Sequence, residues 1–153
     1  MENILKAAKK LYSGEVNSRY TIEMLAKDSG VNLVILKGLD KGIELFTDMY
    51  IAPNKQMSHV EIAEHLKNSY GIEPKVTHRV LLDLSVKGLK AYQLYRERKI
   101  HSRRVAGNAV GLDGFTFEYF FWRQGMSDRP SKKKLKCEMK LESLIINIKD
   151  LAA

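Results

Sequence analysis

Apolar residues recur along most of the chain at spacings of three and four, as in helices that bury one face. The first such run covers residues 2–12. Ile4, Leu5, Ala8, Leu11 and Tyr12 share a face, Lys6, Lys9 and Lys10 are left to solvent, and Ser13-Gly14 ends the run. The stretch Thr21–Gly42 predicts two short helices and a tight turn. Leu25 and Ala26 pack the first helix, Gly30 suits a turn that favours a residue without Cβ, and Val31 is the buried turn residue. Leu36 and Leu39 fold the second helix back onto the first. Leu45, Phe46, Met49 and Tyr50 carry that helix on, or start another, until Pro53-Asn54 breaks it.

The longest patterned stretch is Met57–Leu89, and the chain reads as organised around it. Val60, Ile62, Ala63 and Leu66 form an apolar stripe behind Ser58, an N-cap with Glu61 at the capping-box position. Gly71 suits the exit from that helix and Pro74 the first turn of the next. Val76, Val80, Leu81 and Leu84 make the buried stripe of this second helix. Lys75, Thr77, His78 and Arg79 are left at its N-terminal end, and Lys87-Gly88-Leu89 closes the element. Tyr92–Ile100 either extends the helix or begins a hairpin. Gly107-Asn108 and Asp113-Gly114 are turn signals, and Phe115–Trp122 alternates like a strand, which predicts one or two β-hairpins. Residues 126–134 read as a loop. Ser131 then caps a final helix to about Leu151, with Cys137, Leu141, Leu144, Ile148 and Leu151 at seam spacing.

The expected fold is therefore mainly α with a small β-hairpin region. Three segments follow: 1–56, a helical unit; 57–125, a second unit with a basic hairpin; and 126–153, a basic loop and C-terminal helix. The first two pack together, because no Gly/Ser-rich linker separates them.

Two resemblances sharpen this. Ile62-Ala63-Glu64-His65-Leu66, then Val76, Val80, Leu84 and Lys87-Gly88-Leu89, resemble a winged helix-turn-helix unit, at the level of a broad superfamily. Leu25, Ala26, Gly30, Val31, Leu36 and Leu39 resemble the compact helix-turn-helix of phage repressor-type regulators. The first resemblance implies a helix in the DNA major groove, with Lys75, Thr77, His78 and Arg79 meeting base edges, and a wing on the backbone. The second implies contacts from Asn32, Lys37 and Lys41. It departs from the pattern at Leu33 and Val34, which cannot hydrogen-bond a base edge and equally mark a protein contact.

Composition narrows the partners. A formal charge of +8 over 153 residues favours a polyanion, an anionic membrane or an acidic protein. Arg96, Arg98, Lys99, Arg103 and Arg104 form the densest cationic patch and are expected on DNA phosphates, with Lys132, Lys133 and Lys134 as auxiliaries. No apolar run approaches the eighteen or so residues of a membrane span, and the N-terminus lacks a signal-peptide core. One cysteine allows no intrachain disulfide and suits a reducing cytoplasm.

Catalytic and metal motifs are not evident. Glu61 and His65 share a helical face while His59 projects elsewhere, so zincin spacing is missing, and no cofactor is implied. Cys137 sits on an apolar seam without a histidine partner. Asp113 and Glu118 superficially resemble nuclease carboxylates, but Tyr119 and Phe120 stand where a basic partner is needed. A non-enzymatic reading results: a sequence-specific DNA-binding transcription regulator of bacterial or phage type, cytoplasmic, dimeric through Leu141, Leu144, Ile148 and Leu151. The alternatives are a protein-interaction adaptor using Leu33 and Val34, and an RNA-binding protein using the basic and aromatic region.

Overall fold

The computed structural model describes residues 1–47, 57–97, 99–114, 117–118 and 136–153. Among these residues the chain is mainly helical and has no strand. The helices are α1 (Glu2–Tyr12), α2 (Ile22–Ser29), α3 (Leu33–Leu45), α4 (His59–Tyr70), α5 (Pro74–Arg96), α6 (Arg103–Ala109) and α7 (Lys136–Ile148).

Local chemistry sets most of the boundaries. Thr21 caps α2 by accepting from the Met24 N–H at 3.3 Å, and Gly30 leaves it with φ +70. That left-handed conformation is open to glycine at little cost. Ser58 and Glu61 form the full capping box on α4, with both hydrogen bonds at 3.2 Å. Gly71, again at φ +70, ends that helix, and Pro74 opens α5. Ser102 caps α6.

One hydrophobic core joins α1, α3, α4, α5, α6 and α7. Leu39, Ile62, Leu66, Leu81, Tyr92, Phe117, Leu144 and Ile148 are almost fully buried in it. Each such side chain contributes about 1.5–3 kcal/mol against exposure. A smaller cluster of Ala7, Leu25, Val31 and Leu36 ties α2 to α1 and α3. Helix α3 lies close against α4: a Cβ on Gly38 would fall 2.6 Å from Tyr70, and one on Gly42 2.6 Å from the Leu66 side chain.

Helix α5 runs unbroken for 23 residues, so Lys87-Gly88-Leu89 lies in its middle and Tyr92–Arg96 extends it. Gly88 brings α7 near, with its would-be Cβ 3.4 Å from Leu141. The hairpin expected after it is not seen where the chain is described. Gly107 and Asn108 lie inside α6, and Gly114, Phe117 and Glu118 are helical. Ser102 starts α6 before the two turn signals act, and Phe117 is taken into the core edge-on to Tyr92, with ring centroids 4.9 Å apart. Phe115, Thr116 and Tyr119–Trp122 lie outside the described residues.

The C-terminal seam packs within its own chain. Leu141, Leu144 and Ile148 are buried against the core that α5 dominates, while Leu151 is 46% exposed. The expectation that they bind a second copy is corrected for these three. The long α5 supplies, inside the chain, the apolar surface that a dimer partner would have offered. The Cys137 side chain is outside the described residues.

Candidate functional site: a cationic groove

An open groove of about 940 Å³ runs along the outer side of α5. The core claims Val80, Leu81, Leu84, Ser85, Gly88, Ala91 and Tyr92 from that helix. Arg79, Leu82, Asp83, Val86, Lys87 and Lys90 remain on the other side, at spacings of three and four, and line the groove. Helix α1 adds Leu5 and Lys9, one turn apart; Ile145 near the end of α7 and Lys149 in the turn just after it add a second such pair. Ala109, Val110, Ala152 and Ala153 complete the lining.

The groove has a cationic rim over an apolar floor. Lys9, Arg79, Lys87, Lys90 and Lys149 face one carboxylate among its described side chains, Asp83. Asp83 stands 3.9 Å from Arg79, a loose pairing between partly exposed groups that is worth little. Lys87 donates to the Val110 carbonyl at 3.3 Å, just beyond the C-terminal end of α6, where a cation is favoured. It also lies 5.8 Å from the centre of the Tyr12 ring. Burial, and then the Asp83 carboxylate, push the Tyr12 hydroxyl well above the usual tyrosine range, so it stays protonated behind the groove. The floor is Leu5, Leu82, Val86 and Ile145, of which Val86 is 49% exposed.

The residues expected at base edges are divided. Lys75 and Arg79 are exposed on α5. Thr77 and His78 are 1% and 6% exposed and cannot reach a groove of DNA. They fall on the face of α5 that packs inward, where His78 meets His59 edge-on with ring centroids 5.6 Å apart. Burial, and then His59, lower the His78 pKa, which disfavours the charge a phosphate contact would use.

The expected phosphate contacts are divided as well. Arg96 is only 13% exposed and pairs at 2.9 Å with Glu138, which is fully buried, so it joins α5 to α7 and is not a surface contact. Arg104 pairs with Glu118 at 3.1 Å, and Lys99 with Glu97 at 3.2 Å. Arg103 is half-buried on α6. Arg98, Lys132, Lys133 and Lys134 lie outside the described residues.

On α3, Asn32 spends its side-chain oxygen on the Val34 N–H at 2.8 Å. Lys37 is exposed, Lys41 pairs with Glu44 at 3.3 Å, and Asp40 and Glu44 offset their charge. Val34 is 53% exposed beside a half-buried Leu33.

The other candidate chemistry is dispersed. Glu61 serves the α4 cap, His65 lies edge-on to Tyr70, and Glu118 takes Arg104. Among the described residues no three His, Cys, Asp or Glu side chains gather to hold a metal ion, and no helix is long and apolar enough to cross a membrane.

From the sequence Lys9 is only a solvated lysine and Lys87 part of the segment closing the second unit, and Lys90 and Lys149 are not singled out. They come from α1, from α5 and from the turn just after α7, so no single helical face carries them. No protein-family model, curated protein sequence or solved structure matches the chain.

Proposed function

We propose that the protein binds duplex nucleic acid, gripping the phosphate backbone with the rim of the α1–α5–α7 groove. The observation that carries this reading is the convergence of Lys9, Arg79, Lys87, Lys90 and Lys149, from α1, α5 and the turn after α7, with Asp83 the one side-chain carboxylate among the described lining residues. Such a surface concentrates the field of a chain that already carries +8. The α2–Gly30–α3 geometry supports the resemblance to helix-turn-helix regulators. Lys75 and Arg79 are the exposed side chains of the second unit left to approach base edges. With Thr77 and His78 inside the protein, most contacts go to phosphates, and sequence preference is weak.

The test is fluorescence anisotropy with random duplex DNA across a salt series. With Lys87 held by the Val110 carbonyl, the other four rim cations on phosphates give a slope of log K against log salt of about −3.6, from roughly −0.9 per phosphate. Replacing Lys90 and Lys149 together by Gln lowers that slope by about 2 and weakens all sequences alike. A salt-independent affinity, or none at low salt, refutes the proposal.

A second reading, a protein-interaction adaptor, is favoured by the exposed Val34 at the start of a helix whose outer charges cancel. Val34→Asp that keeps DNA affinity but loses a co-purifying partner supports it.

A further inference from the structure

The rim of the groove explains an anionic partner, but its floor does not. A phosphodiester backbone has nothing apolar to lay on Leu5, Leu82, Val86 and Ile145, and it keeps its water where it faces them. The ligand that satisfies both parts carries carboxylates along its edges and an apolar stripe between them. We infer that the groove is a docking site for an acidic amphipathic helix of a protein partner, and that this helix and nucleic acid exclude one another from it. The exclusion rests on the reading of the rim as the nucleic-acid site; the docking does not.

Charge and dimensions both select this occupant. Five cations line the groove with Asp83, so a basic helix is repelled, a neutral one is not steered, and an acidic one is drawn in. Arg79 and Lys90 mark out about 16 Å of α5 at ~1.5 Å per residue, which is three turns of a helix laid alongside. Three turns present apolar anchors at i, i+3, i+4 and i+7, the usual set for a helix in a groove. Val86, half exposed in mid-floor, is the natural contact for the central anchor. Lys9 comes from α1, Lys149 from the turn just after α7, and Lys90 from the far end of the α5 stripe, so glutamates of the incoming helix find cations on more than one wall. Lys87 is held by the Val110 carbonyl, which fixes one wall before the ligand arrives.

The experiment uses the full chain and a fluorescein-labelled 18-residue peptide of Leu and Glu, with Leu at i, i+3, i+4 and i+7. A scrambled peptide of equal composition, a random duplex and phosphatidylglycerol vesicles are measured beside it. The expected result is an ordered peptide that binds at least tenfold more tightly than the scrambled one and is displaced by the duplex. Val86→Ser, at a position exposed enough to leave the fold intact, weakens the ordered peptide about tenfold and changes duplex affinity less than twofold. Lys9→Gln with Lys149→Gln weakens both ligands. Equal binding of the two peptides by the unaltered protein overturns the inference, as does binding to vesicles alone. Ordered-peptide binding without duplex binding removes the nucleic-acid proposal and leaves the docking site. Duplex binding without discrimination between the peptides does the reverse.

Discussion

Arg96 separates the expectation from the sequence and the structure most sharply, because the two assign it opposite roles. As a surface phosphate contact its loss lowers DNA affinity and leaves stability alone. As the partner of a fully buried Glu138 at 2.9 Å, its loss removes a buried ion pair that ties α5 to α7. Breaking a buried ion pair by removing one partner costs about 3–5 kcal/mol. For a domain of this size each kcal/mol moves Tm by roughly 2–4 °C, so Arg96→Met lowers Tm by roughly 6–20 °C. Arg96→Met combined with Glu138→Leu recovers most of this loss, because an apolar pair of similar volume carries no desolvation cost. The assay is thermal unfolding followed by circular dichroism, with duplex affinity measured well below the transition. A Tm within 2 °C of the parent together with a tenfold loss of DNA affinity refutes the buried-pair argument and returns Arg96 to the surface.

Four further outcomes follow from single observations. Leu25→Ala, in the small α1–α2–α3 cluster, costs about 2–5 kcal/mol by urea unfolding, because nothing else fills the space. Ser58→Ala removes half of the capping box and costs about 1 kcal/mol by the same measurement. Gly30→Val is more costly than Gly30→Asn, since the strain there is the positive φ and not crowding. His78 has a lowered pKa in the folded state, so the unfolded chain takes up its proton first as pH falls. Stability is therefore fully present above the ordinary value of 6.5 and declines below it, and His78→Gln flattens that part of the profile of unfolding free energy against pH.

Helix positions were legible wherever a local signal and a periodic stripe agreed. Gly30, Ser58, Gly71 and Pro74 act within a few residues of themselves, and each stands at the boundary its chemistry implies. Leu25, Leu36, Leu39, Ile62, Ala63, Leu66, Val76, Val80, Leu81 and Leu84 followed from spacing, because a helix places every third and fourth residue on one face, whereas Val60, read into the same stripe as Ile62 and Leu66, is 52% exposed. Turn signals failed at Gly107-Asn108 and at Gly114. There, Ser102 and the demand of the core for Phe117 outweighed the local preference of glycine and asparagine for turns.

The site depended on tertiary structure for a different reason. Sequence spacing places a side chain on its own helix but not against another. Thr77 and His78 read as an exposed polar end, yet the α4–α5 packing turns them inward. Arg96 reads as part of a cationic run until α7 brings Glu138 beside it. Leu141, Leu144 and Ile148 carry a seam whose partner is not written in the seam itself, and the length of α5 settles that the partner is intramolecular. Lys9, Lys90 and Lys149 are ordinary surface lysines along the chain. They become one groove because three helices cross there, and charge acts through space and not along sequence.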